Sequence, residues 1–93
     1  MYPRILAKIR TLVKQGDYIL SSHAENELAD DNLNEQDIEA AILNGTIIRR
    51  ERDPIGRPKY IIEGKTLEEK DLTAVAQIFH TRQLVVIITA YET

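Results

Sequence analysis

The chain reads as an α+β protein, three helices followed by a four-stranded antiparallel sheet in a single compact domain. Three observations predict this. Up to residue 45 apolar residues recur at helical spacing between helix-start and helix-stop signals. Next, two short runs, Thr46 to Arg52 and Arg57 to Glu63, flank Asp53-Pro54-Ile55-Gly56, where Pro presets a turn and Gly can take a positive φ at its end. Finally, Leu72–Phe79 and Leu84–Tyr91 are apolar on alternate and intervening positions, as central strands covered on both faces are. With 93 residues and 43% hydrophobic content, the chain can build one modest core and no second one. The expected organisation is one domain over residues 1–93, with a helical part at 3–45 and a sheet part at 46–92.

The first helix starts at Pro3, a residue suited to a first turn, and Gly16 ends it. Ile5, Leu6, Ile9, Leu12 and Val13 fall on one face, while Arg4, Lys8, Arg10 and Lys14 lie mostly off it. After a short extended piece, Asp17 to Leu20, the segment Ser22-His23-Ala24-Glu25 fits the S-x-x-E capping box, so a second helix should start at Ser22. Asn34 caps a third helix with Asp37 three residues on; Ile38, Ala41 and Ile42 are its buried face and Asn44-Gly45 its stop. The short loop between the last two helices favours packing them as an antiparallel or steeply crossed pair. Pro58 lacks a backbone donor, which places it at an edge or at the turn. Glu63 to Lys70 is a polar connection, and His80-Thr81-Arg82-Gln83 a tight turn that sets His80 near a sheet end, where a structural or solvent-facing role suits it. In the last strand, period-two alternation puts Thr89 and Tyr91 on the same face as Val85 and Ile87.

Composition narrows the function classes. There is no cysteine, which removes disulfides and thiolate metal sites, and no long apolar run, which removes a membrane span and a signal peptide. A cytoplasmic protein without membrane association is expected. The net charge of -3 argues against a general nucleic-acid coat protein. Cations are nevertheless concentrated in the hairpin, where Arg49, Arg50, Arg52, Arg57 and Lys59 face only Glu51 and Asp53. Such a strand is either an edge protected by charge against edge-to-edge pairing or a phosphate-facing surface. His23 and Glu27, four apart on one helix face, can pair a base with its orienting carboxylate; two groups at this spacing are a weak metal signal, and no metal or other cofactor is expected. Glu25, Glu27, Asp30 and Asp31 otherwise make an ordinary solvated acidic helix.

The runs SHAENELADDNLNEQDIEAAILNGTI, DPIGRPKYIIEG and VVIITAYE, in this order, resemble a family of small, mostly bacterial domains of unknown function. Its pattern is His-Ala-x-x-Arg in a helix, a helix ending in Asn-Gly, a Gly-Arg-Pro-x-Tyr strand and a closing Ile-Thr-x-Tyr. The resemblance spans about residues 18 to 92 and leaves the first helix outside. That family is similar to the RelE-like and MqsR-like toxins of bacterial toxin-antitoxin pairs, compact metal-independent ribonucleases with helices packed on an antiparallel sheet. The resemblance implies site residues at His23, Arg57, Tyr60, Thr89 and Tyr91, RNA as a partner, and a cognate antitoxin-like protein as another. Glu27 stands where the pattern has Arg. Metal-free RNA cleavage needs a base for the 2′-hydroxyl, cations for the phosphate charge and an acid for the leaving oxygen. His23 or Glu27 would be the base, Arg57 with Arg52 or Lys59 the clamp, and Tyr60 or Tyr91 the donor, with Arg49 and Arg50 extending the RNA-binding surface. The alternative is a non-enzymatic protein-interaction module whose sheet edge or acidic helix meets a partner.

Overall fold

The computed structural model describes residues 2–93. Pro3 opens α1 (Pro3–Lys14), which turns Ile9, Leu12 and Val13 into the core. The helix ends where Gly16 takes a φ of 80°, a conformation that costs glycine little. The extended piece that follows is a strand, β1 (Tyr18–Leu20). Helix α2 (Ser22–Asp30) and helix α3 (Glu35–Asn44) come next. Four longer strands complete the chain: β2 (Thr46–Arg52), β3 (Pro58–Lys65), β4 (Asp71–Phe79) and β5 (Leu84–Glu92).

The protein is thus a mixed α+β domain with three helices and a sheet of five strands rather than four, in the order β1-β5-β4-β3-β2. From β2 to β5 the strands form the expected antiparallel meander. The additional strand pairs parallel with β5, Tyr18 opposite Val85 and Leu20 opposite Ile87. It is legible only from its partner, because three residues carry too little periodicity to mark a strand. It also separates α1 from α2, so the helices do not precede the sheet as one block.

All three helices pack on one face. Their buried residues join Tyr60, Ile62, Leu72, Ala74, Ala76, Val85, Ile87 and Ala90 in a single cluster. The central strands are consequently helix-covered on one face, not on both, although Ile61, Thr73 and Gln77 on the opposite face are buried as well. Helices α2 and α3 are not packing partners: α2 lies on β5, while α3 lies on β3, β4 and α1. Close approach makes this possible. A Cβ on Gly64 would stand 1.9 Å from the Ala41 carbonyl oxygen, so only glycine lets α3 lie on β3 there. Arg10 then closes the end of α3, its Nη2 donating to the Gly45 carbonyl at 2.6 Å and its Nε to that of Ile42 at 3.2 Å.

Two local expectations change. Helix α2 begins at Ser22 as expected, but its cap is Ser21, whose Oγ accepts from the Ala24 amide at 3.0 Å. Ser21 is still tied to the strand through its own amide, which donates to the Ile87 carbonyl at 2.9 Å, so the chain leaves β1 one residue earlier than the S-x-x-E pattern implies. Glu25 is then one position too far along to close a box. The box at Asn34 and Asp37 forms in full. In β5 the alternation breaks: Ala76 pairs with Ile87 and Val75 with Thr89, leaving Ile88 as an extra residue. A bulge of this kind reverses which side chains face the core beyond it. Val85 and Ile87 point inward, whereas Thr89 and Tyr91, paired with Val75 and Thr73, share the opposite face.

Candidate functional site

The β2–β3 turn is held by a network of polar contacts. Pro54 and Gly56 shape it, with Gly56 at a φ of 89° and its amide donating to the Asp53 carbonyl at 2.9 Å. The Asp53 carboxylate ties the loop together. Its Oδ1 accepts from the amides of Ile55 at 3.0 Å and Arg57 at 2.8 Å, and its Oδ2 from Arg57 Nε at 2.8 Å and Gln77 Nε2 at 3.1 Å. Loss of hydration at this position raises its pKa, but the Arg57 amide, the Arg57 guanidinium and the Gln77 amide together outweigh that and hold the carboxyl down at about 2. A carboxylate accepting several N–H bonds behaves in this way. The Arg57 guanidinium also lies over the Phe79 ring, 5.6 Å from its centroid. Beside it opens a cleft of about 120 Å³ lined by Arg57, Pro58, Tyr60 and the β4 end from Gln77 through Ile78 and Phe79 to His80.

The other hairpin cations spread over both faces of β2, which is the outer edge strand. Arg49 pairs with Glu51 at 2.7 Å; the hydrogen bond to Glu51 raises the guanidinium pKa, and that to Arg49 lowers the carboxyl's. Arg50 lies over Tyr2 at 5.9 Å. Arg52 Nη1 donates to the Gly56 carbonyl at 2.8 Å, and Lys59 stands opposite Glu51 in the register.

His23 and Glu27 meet as expected, Nε2 to Oε1 at 3.3 Å, with His23 69% exposed. Glu27 has a second attachment. Its Oε1 also accepts the amide of Ala90 at 3.1 Å. Beyond Ile87 the outer edge of β5 has no strand neighbour, and the side chains of the β1–α2 segment cover it instead. Ser21 Oγ donates to the Ile88 carbonyl at 2.6 Å, Glu27 takes the Ala90 amide, and Asp31 Oδ2 takes that of Glu92 at 2.9 Å. Glu27 therefore substitutes for a missing strand, a role an arginine cannot fill because it has no acceptor.

The structure brings the expected residues together in three groups rather than one. Arg57 and Tyr60 share the cleft at the turn end of the sheet. Tyr91 and Thr89 lie on the face without helices, where Tyr91 and Glu63 add to the charge environment of Arg49. His23 and Glu27 sit on α2, no residue of which lines the cleft. The register separates Arg57 from Tyr91: Glu63, Thr73 and Tyr91 form one row, and Arg57 lies six residues before Glu63, about 20 Å at the rise of an extended strand. Gln77, Phe79 and His80 also line the cleft, Asp53 holds Arg57 and Gln77 beside it, and sequence reasoning assigns none of these four a functional role. Gln77 carries one signal, a lone amide inside the apolar run LTAVAQIF. Among the described residues, no group of three or more His, Cys, Asp or Glu side chains is gathered to hold a metal.

No curated protein and no solved structure matches the chain. The family model described as "Domain of unknown function (DUF4258)" matches residues 20–92, which takes in every element from the end of β1 to β5 and leaves out α1. On that match over most of its length, the chain belongs to the DUF4258 family.

Proposed function

We propose that this domain binds RNA in the manner of a toxin-like ribonuclease, with the β2–β3 hairpin holding backbone phosphates. One observation carries the reading. A chain of net charge -3 places five cations against two carboxylates between residues 49 and 59, Arg49, Arg50 and Arg52 on the exposed edge strand β2, Arg57 in the turn and Lys59 at the start of β3. Phosphate contacts of this sort supply affinity without sequence preference. Cleavage needs a base near the clamped phosphate, and the titratable groups beside Arg57 in the cleft are Tyr60 and His80. His80 therefore takes the place expected for His23 in this reading. The second reading, a non-enzymatic module that docks a protein such as an antitoxin-like partner, is favoured by a separate concavity of about 300 Å³ lined by Ile19, Phe79, Arg82, Leu84 and Val86. Ile19 there is 52% exposed.

Fluorescence anisotropy with a labelled single-stranded RNA, run across a salt series, tests the main reading. Replacing Arg49, Arg50 and Arg52 with Gln should weaken binding and reduce the slope of log affinity against log salt by about 0.7 for each phosphate the variant no longer neutralises. Unchanged affinity and slope would assign these arginines to edge protection. Incubation of the same RNA with wild-type protein and with His80→Ala tests cleavage, the variant being expected to cleave on the order of a hundredfold more slowly.

A further inference from the structure

We infer that a second copy of this chain covers the helix-free face of the sheet, the two copies packing antiparallel about a two-fold axis perpendicular to the strands. The inference goes beyond the RNA reading and does not depend on it. An antiparallel sheet with one solvated face usually alternates apolar inward and polar outward. On the outward positions of β4 and β5 this sheet instead carries Val75, Phe79, Leu84 and Val86, all half-buried. The concavity of about 300 Å³ beside Ile19 lies among the last three. Four strands about 4.8 Å apart and about eight residues long present roughly 500 Å² in projection. Pairing that patch with itself removes at least about 1,000 Å² from water, the size at which specific interfaces begin.

Charge selects the occupant, because the register orders this face in rows across the strands. Tyr91, Thr73 and Glu63 form the first row, and Thr89, Val75, Ile61 and Arg49 the second. Val86 and Gln77 form the third, level with Glu51, which stands two residues on from Arg49. Leu84 and Phe79 form the fourth, with Arg57 over the Phe79 ring. Turning a second copy about the midpoint of these rows lays its first row on the fourth and its second on the third. Arg57 then meets the partner's Glu63 and Glu51 meets the partner's Arg49, each contact occurring twice by symmetry.

Both members of the outer contact are available for it. Arg57 reaches Asp53 through Nε, which leaves its two Nη groups for a carboxylate from outside. Glu63 is exposed and has no ion-pair partner among the described residues. The same turn brings the partner's Tyr91 down on Leu84, where the concavity receives an aromatic side chain, the usual anchor of an interface. Aligned sheets cross at about 30°, an offset that long side chains such as Arg57 absorb. A two-fold axis running along β4 instead would lay β3 on β5 and press Arg57 and Lys59 onto Leu84 and Val86. Burying cations without partners is strongly unfavourable, so the antiparallel arrangement is the one this face fits.

Sedimentation velocity at about 0.2 mM protein, above the micromolar affinities of modest interfaces, should show the wild-type chain as a dimer. Arg57→Glu and Glu63→Arg should each self-associate at least about tenfold more weakly, because the two-fold sets like charges opposite each other at both outer contacts. Mixed in equal amounts, these two variants regain both opposite-charge contacts and should form a heterodimer. Val86→Lys should be monomeric, with circular dichroism reporting that it is folded. Tyr91→Ala, a milder change at the same face, should weaken self-association about tenfold. A wild-type monomer at that concentration would overturn the inference. So would a dimer that survives both Val86→Lys and Tyr91→Ala, or charge variants that fail to pair on mixing.

Discussion

Replacing Glu27 with arginine, which reverses its charge, should destabilise the protein. The reason lies on β5. Strand β1 ends opposite Ile87, so the Ala90 amide beyond it has no strand to donate to, and Ala90 is 0% exposed, out of reach of water. Glu27 Oε1 is its acceptor at 3.1 Å. An arginine offers only donors and would leave this amide unpaired, which costs about 2 kcal/mol within the usual range of roughly 1–3 for a buried group deprived of its partner. For a domain of this size that corresponds to a fall in Tm of about 10 °C. Glu27→Gln keeps an oxygen at the same place and should lose less than half as much. His23→Ala removes only an exposed pairing and should stay within about 0.5 kcal/mol of wild type. Urea or thermal denaturation of the three variants supplies the magnitudes, and amide exchange at Ala90 supplies the mechanism. Wild-type stability in Glu27→Arg, with the Ala90 amide still protected, would refute the edge-covering role.

Three further outcomes follow from the fold. Gly64→Ala should destabilise by about 2 kcal/mol or more, since the added methyl meets Ala41 backbone at 1.9 Å and α3 would have to lift off β3; a chemical denaturation midpoint near wild type would contradict that close approach. Ser21→Ala should cost about 1 kcal/mol, the usual loss for a helix cap, while Ser22→Ala should change little, and the reverse order would return the cap to Ser22. Asp53 ties stability to acid: its folded pKa of about 2 lies below the ordinary 3.8, so the carboxylate's contribution is complete above about pH 4 and is lost as pH falls through 2. The stability gap between wild type and Asp53→Asn should accordingly narrow from about pH 6 to about pH 2, and a gap that stays constant over that range would detach Asp53 from the acid transition.

Much of the architecture is local and legible in the chain itself. Pro3, the Asn34–Asp37 box, Asn44-Gly45 and Asp53-Pro54-Ile55-Gly56 each act through their own backbone neighbours, and the elements they bound lie within a residue or two of their expected limits. Short connections then make the meander from β2 to β5 the natural order. What tertiary structure alone decides involves partners far apart in sequence. Tyr18–Leu20 becomes a strand because β5 lies beside it, and Ser21 displaces Ser22 as cap because its amide is already held by Ile87. The bulge at Ile88 turns Thr89 and Tyr91 away from the core, an event invisible to a period-two reading since it adds a residue without changing any residue type. The candidate site divides in the same way. The basic hairpin is visible as local charge, and the His23–Glu27 pair as helical spacing. That Glu27 covers a strand edge, and that Asp53, Gln77 and Phe79 gather around Arg57, depends on partners spanning about 20 to 60 residues of chain, which no local pattern encodes.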